Sequence, residues 1–157
     1  LKSEFINPFL QATVNVISTM AMIEPTAGKP YVKKDKIAIG DVSGVIGLTG
    51  ASRGAIVLSF SEGAICKIVG SMLGVEYAAM DDDVKDAVGE LTNMISGDAR
   101  RRLAEKGIIF EAGIPSIVSG PHHTIESVAK GPVVAIPFEV EGHKFVIEAS
   151  FDSEVKM

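Results

Sequence analysis

The sequence predicts an α/β domain of the α+β kind: a mostly antiparallel sheet covered by two long helices and one shorter helix. Three observations carry this. A helix followed by a β hairpin occurs twice along the chain, suggesting a pseudo-twofold internal repeat. Between the helices, "KIAIGDV", "GVIGLTG" and "GAIVLSF" are short, rich in Ile and Val and punctuated by glycine, as strands are. One amphipathic segment, Asp81 to Lys106, is long enough to span such a sheet.

The first helix is predicted over Asn7–Ile23. Asn7 suits an N-cap, and Pro8 suits the first helical position, where its missing N–H costs nothing. Phe5, Phe9, Val16 and Met20 fall near one face, with Ile6, Thr13 and Ile17 beside them; Asn7, Gln11, Asn15 and Ser18 fall on the other. Pro25, Gly28 and Pro30 then open a loop. From Lys36 to Phe60 the pattern is β, with "GASRG" as a hairpin turn. Ser61 caps a short helix over Glu62–Leu73, and Gly74 closes it in the left-handed conformation. In the long helix, Asp81, Asp82 and Asp83 stand at the start and Arg100, Arg101, Arg102 and Lys106 near the end, matching the helix dipole, with Gly107 as the stop. "GIIFEAGIPSIVSG" holds one or two strands, "PHHTIESVAKG" a loop, and "GPVVAIPFEVEGHKFVIEASF" a hairpin turning near Glu141, Gly142 and His143.

At 157 residues, against a prior of roughly 150 per domain, the chain reads as a single domain over 1–157. No segment is long or polar enough to be a linker. The 46% apolar and 22% charged fractions exclude a disordered chain. A net charge of −5 argues against a general nucleic-acid binder. Cys66 is the only cysteine, so neither an internal disulfide nor a cysteine-based metal site is available. The uncharged stretch from Phe5 to Ile23 contains Asn7, Gln11, Asn15 and other polar residues, which argues against a membrane span. The expected location is the cytoplasm. A mean hydropathy of +0.30 hints at surface buried against another chain.

On the long helix, at about 100° per residue, Val84, Ala87, Val88, Leu91, Ile95 and Ala99 form the core face, with Leu103 near its margin. Asp86, Glu90, Asn93, Gly97 and Arg100 share the opposite side. Solvent-facing stripes usually carry good helix formers. This one carries Asn93, with Gly97 on the stripe and Gly89 nearby, each glycine costing about 1 kcal/mol against Ala. It is either a poorly optimised surface or a flat docking strip. In the second case a partner's backbone approaches at the glycines, while a carboxylate and an amide project one turn apart. A carboxamide both donates and accepts, so it can orient a water for attack.

"DDVKDAVGELTNMISGDARRRL" resembles the signature helix of the CheC/CheX/FliY phosphatases of bacterial chemotaxis. Their pattern is Asp or Ser, three residues, Glu, two residues, Asn, and a proline some twenty residues on; Asp86, Glu90, Asn93 and Pro115 match it. "NPFLQATVNVISTM" is similar to the opening helix of CheX-like members. The resemblance covers most of the chain and implies a CheC-like fold. Larger members carry the motif on both pseudo-symmetric helices. Here the first helix shows Asn7, Gln11 and Asn15 without a Glu at the motif spacing, so a second site is absent or degenerate.

The resemblance further implies a phosphorylated CheY-type receiver domain as substrate and a homodimer joined through the sheets. Glu90 would pair with the receiver's active-site Lys, and Asn93 would hold the attacking water. Asp86, Gly89, Gly97 and Arg100 would contact the partner. No cofactor would be bound by this chain, Mg²⁺ being held by the receiver. The alternative is a non-catalytic module on the same scaffold, docking on receivers or on the flagellar switch.

Other constellations are weaker. His122 and His123 are adjacent, which suits chelation on neither a helix nor a strand, and with His143 they read as loop histidines. "GLTGASRG" lacks the Lys of a phosphate loop, and no G-x-S-x-G occurs. Cys66 and Met20, Met22, Met72, Met80 and Met94 read as core. Arg100–Arg102 reads as a solvated helix end or a patch for an acidic partner.

Overall fold

Two helix-plus-hairpin halves interlock across one sheet. The computed structural model of the protein describes residues 3–125 and 129–152. Helix α1 (Ser3–Ala21) leads into short strands β1 (Thr26–Ala27) and β2 (Tyr31–Lys33), the hairpin β3 (Val42–Gly50) and β4 (Gly54–Phe60), and helix α2 (Glu62–Leu73). The second half runs α3 (Asp82–Ala104), β5 (Phe110–Ala112), β6 (Ser116–Ser119), β7 (Val133–Val140) and β8 (His143–Phe151). The sheet order is β1-β7-β8-β4-β3-β5, with β2 also on β7 and β6 also on β3. Every pairing among these strands is antiparallel. The short strands of each half therefore border the outer hairpin strand of the other half. Exchanging the halves maps the order onto itself, as a pseudo-twofold duplication requires; among the described residues α2 has no counterpart.

Local chemistry accounts for the element ends. Ser61 Oγ accepts from the Ala64 N–H at 3.1 Å, and Gly74 closes α2 at φ 71°. Asp81 Oδ1 accepts from the Val84 N–H at 2.9 Å at the start of α3. Past its end the Ile108 N–H returns to the Leu103 carbonyl at 3.0 Å, with Gly107 at φ 81°. The β7–β8 turn places Glu141 and Gly142 at φ 47° and 84°, the left-handed pair of a tight hairpin.

The helices cover one face of the sheet. Val42, Ile46, Leu48, Ile56, Leu58, Phe60, Ile136, Phe145 and Ile147 pack there with Phe9, Ile17, Leu91 and Ile95. The other face carries Ser43, Ser59 and Glu148, all buried. Segments 36–38 and 123–125 pair with each other, through the Ala38 N–H to the His123 carbonyl at 2.8 Å and the Ile125 N–H to the Lys36 carbonyl at 3.0 Å. On this face Lys33 Nζ lies 3.2 Å from Glu148 Oε2, with side chains 6% and 8% exposed.

Several expectations need correction. Helix α1 begins at Ser3, leaving Asn7 and Pro8 inside it. Phe5 and Ile6 are buried, and covering such side chains is worth about 1.5–3 kcal/mol each, enough to draw the helix back past the proline. "KIAIGDV" is not a sheet strand before Val42; Ile37 makes one isolated bridge to Thr124. The Asp35 carboxylate accepts from the Ile37 N–H at 3.0 Å, turning the chain there. Strands β1 and β2 occupy the expected loop. Met20 and Met22 are exposed rather than core. The loop expected in "PHHTIESVAKG" lies partly outside the described residues, at 126–128.

Candidate functional site

Helix α3 is pressed onto β3, and that contact decides which of its faces is outward. A Cβ at Gly44 of β3 would run into Thr92 Oγ1 and Cβ. The Thr92 hydroxyl is satisfied within the helix, donating to the Val88 carbonyl at 2.7 Å. Val84, Val88, Leu91, Thr92, Ile95, Ser96, Ala99 and Leu103 are buried; Ala87 is half-buried. Thr92 and Ser96 thus join the apolar face expected from periodicity.

Asp86, Glu90 and Asn93 are all exposed on the opposite side. Neither Glu90 nor Asn93 has a side-chain hydrogen-bond or ion-pair partner among the described residues. Three residues at 1.5 Å rise put them about 4.5 Å apart along the axis, so the carboxylate and the amide present side by side.

The two glycines differ. Gly97 is half-buried, and a Cβ there would meet only the Arg100 guanidinium at 3.9 Å. At Gly89 a Cβ would touch Ile117 Cδ1 at 3.5 Å. The expected open strip is therefore narrower on that side, where β6 abuts the helix. Pro115 is half-buried just ahead of β6.

Toward its C-terminal end α3 is tied to α1. Asn15 Nδ2 donates to Asp98 Oδ2 at 2.8 Å, while Arg101 and Arg102 reach Asp98 Oδ1 at 2.7 and 3.1 Å. Burial pushes the Asp98 carboxyl up, but the hydrogen bonds from Asn15, Arg101 and Arg102 outweigh it and hold the carboxyl below its ordinary value. A depressed carboxyl stabilises the fold above the usual carboxylate range and loses that contribution as pH falls through the lowered value. Melting temperature measured against pH should therefore fall less steeply at acid pH in Asp98→Asn than in the wild type. Sequence reasoning missed this clamp, whose outward signal is an Asp followed three and four residues on by arginines.

The family described as chemotaxis phosphatase CheX matches residues 42–139 of this sequence. The chain belongs to the CheX family. It is 30% identical over 141 residues to the CheY-P phosphatase CheX of Thermotoga maritima, covering 89% of this chain and 90% of that protein. The structure of a chemotaxis protein CheX from Desulfovibrio desulfuricans superposes with a TM-score of 0.87 at 47% identity, covering 94% of this chain and 99% of that one. CheX in the CheX–CheY–BeF3–Mg²⁺ complex from Borrelia burgdorferi gives a TM-score of 0.81 at 25% identity, covering 95% and 98%.

In this CheX-family chain the pseudo-symmetric helix can be aligned with α3 on a shared feature. Thr13 is buried and donates to the Phe9 carbonyl at 2.8 Å, as Thr92 does to Val88. Setting Thr13 on Thr92 places Gln11 on Glu90 and Val14 on Asn93. Buried Ala12, Val16 and Ile17 then fall on buried Leu91, Ile95 and Ser96. The α1 counterpart has no amide at the Asn93 position, and Gln11 Oε1 accepts from Arg102 Nη1 at 3.4 Å.

His143, expected in a loop, opens β8 instead. His123 lies between the Gly120 carbonyl and Ser43 Oγ, at 2.7 Å from each. The carbonyl requires Nδ1 to donate, so in the neutral ring Nε2 accepts from Ser43. Ser43 Oγ also lies 2.7 Å from Ser59 Oγ, completing a buried polar chain. Among the described residues no three His, Cys, Asp or Glu side chains converge to hold a metal ion. No helix among them is long and apolar enough to cross a membrane. Cys66 is buried.

Proposed function

We propose that this chain hydrolyses the aspartyl phosphate of a CheY-type receiver domain, docking through the outer face of α3. The observation that carries the reading is that Glu90 and Asn93 stand exposed and, among the described residues, unpartnered, one turn apart on a helix fixed by its opposite face. The name of the Thermotoga relative and the composition of the Borrelia complex support the choice of substrate.

An acyl phosphate is already activated, so the helper's task is positioning. Glu90 pairs with a lysine of the receiver's phosphorylation pocket and aligns the helix. The Asn93 amide enters beside the phosphoryl group, its N–H donating to a phosphoryl oxygen and its carbonyl accepting from a water, and so holds that water in line with the scissile bond. A water-oxygen-to-phosphorus bond forms as the phosphorus–oxygen bond to the receiver's aspartate breaks. The products are a free carboxylate and inorganic phosphate, with the water's proton passing to solvent. Nothing becomes covalently attached to this chain. Mg²⁺ is held by the receiver, where it neutralises phosphoryl charge. Asp86, Gly97 and Arg100 flank the contact, and Gly89 does so beside Ile117.

The test is decay of a phosphorylated receiver domain with and without this protein. Faster decay is the expected result, whereas binding without faster decay marks a docking module instead. Glu90→Ala should raise the half-saturating receiver concentration about tenfold, or ~1.4 kcal/mol, in a titration of decay rate. Unchanged receiver binding would remove the ion pair from the account.

A further inference from the structure

Three arginines follow one another on α3, and the structure gives them different tasks. Arg101 and Arg102 both bind Asp98, and Arg101 also reaches Glu105 at 2.9 Å. Arg100 meets no carboxylate among the described residues. Its Nε donates to Ser96 Oγ at 3.3 Å, one turn back along the helix. Ser96 is fully buried, so the anchor is set by the core. The bond turns the side chain toward the N-terminal end, and a guanidinium nitrogen lies 3.9 Å from where a Cβ of Gly97 would stand. With no side chain at Gly97, the guanidinium rests along the same strip as Asn93.

The strip is therefore polarised. Glu90 supplies negative charge at one end, Asn93 is neutral in the middle, and Arg100 supplies positive charge at the other. We propose that Arg100 is a docking residue that grips acidic side chains of the receiver beside its phosphorylation site and fixes the direction in which α3 crosses it. This rests on the phosphatase reading above. The partner surface it fits has a cation opposite Glu90 and anions opposite Arg100. Reversing the helix would set Glu90 against those anions and Arg100 against that cation, so the wrong orientation is disfavoured at both ends. Charges at an interface rim act on encounter rate and salt dependence more than on chemistry.

The experiment is steady-state dephosphorylation of a phosphorylated receiver by the full chain at several salt concentrations. Arg100→Ala should raise KM about fivefold with kcat unchanged and flatten the dependence of kcat/KM on salt, as a lost rim charge does. Arg100→Lys should restore part of the affinity, and Arg100→Glu should weaken it further. Ser96→Ala, which frees the guanidinium, should fall between wild type and Arg100→Ala. An Arg100→Ala variant with wild-type KM and salt slope overturns the proposal. So does one that loses kcat at unchanged KM, since that would place Arg100 on the phosphoryl group itself. A wild-type protein that leaves receiver decay unchanged overturns the phosphatase reading and this one with it. An active wild type with an unaffected Arg100→Ala overturns only this one.

Discussion

Asn93→Ala is expected to abolish accelerated dephosphorylation while leaving the fold and the docking surface in place. Asn93 is exposed and has no side-chain partner among the described residues, so its truncation should change stability by no more than about 0.5 kcal/mol. The effect on rate is of another size. Orienting one water beside an activated acyl phosphate is asked to supply about 100-fold, or ~2.7 kcal/mol, and the α1 counterpart has Val14 where the amide would stand. Receiver decay in the presence of the variant should fall to the rate of the receiver alone, with urea unfolding and receiver affinity matching the wild type. A variant that dephosphorylates at the normal rate would remove Asn93 from the mechanism.

Glu148→Ala is expected to produce the largest loss of stability. Lys33 and Glu148 face each other at 3.2 Å on the sheet face away from the helices, both almost fully buried. Burial pushes the Glu148 carboxyl above its ordinary value even though Lys33 pulls the other way, so desolvation outweighs the attraction within the pair. Such a pair adds little net stability, yet breaking it strands the remaining charge. Removing the glutamate leaves the ammonium of Lys33, the last residue of β2, buried without the carboxylate it pairs with, at a cost of about 3–5 kcal/mol. For a domain of this size that is a fall of roughly 10 °C in melting temperature. Replacing Lys33 by Met in the same variant should recover most of it. A single variant that melts within a degree or two of the wild type would show that Lys33 finds water readily.

The elements legible in the sequence were those with local signals. Helices α2 and α3 were marked by Ser61, Gly74, Asp81 and Gly107, and the second hairpin by Glu141 and Gly142, because caps and tight turns depend on nearest neighbours. Strands β1 and β2 were not, since two and three residues are too few to show a period; only β7 alongside makes them strands. Thr92 and Ser96 look like surface residues until Gly44 is seen to make room for the first. For the site, the phase of α3 was enough to turn Glu90 and Asn93 outward. The difference between Gly89 and Gly97 was hidden, because it depends on Ile117 arriving from a distant strand. The different tasks of Arg100 and its two neighbours were hidden likewise, because they depend on where Asp98 points.

The most direct measurement is the single-turnover decay of a phosphorylated receiver with this protein in saturating excess, comparing wild type with Asn93→Asp. The aspartate keeps the size of the side chain and loses the amide N–H, and saturation removes any difference in docking. A plateau rate for the variant close to that of the receiver alone is the predicted result. A plateau equal to the wild-type rate would show that the carboxamide is not what positions the water.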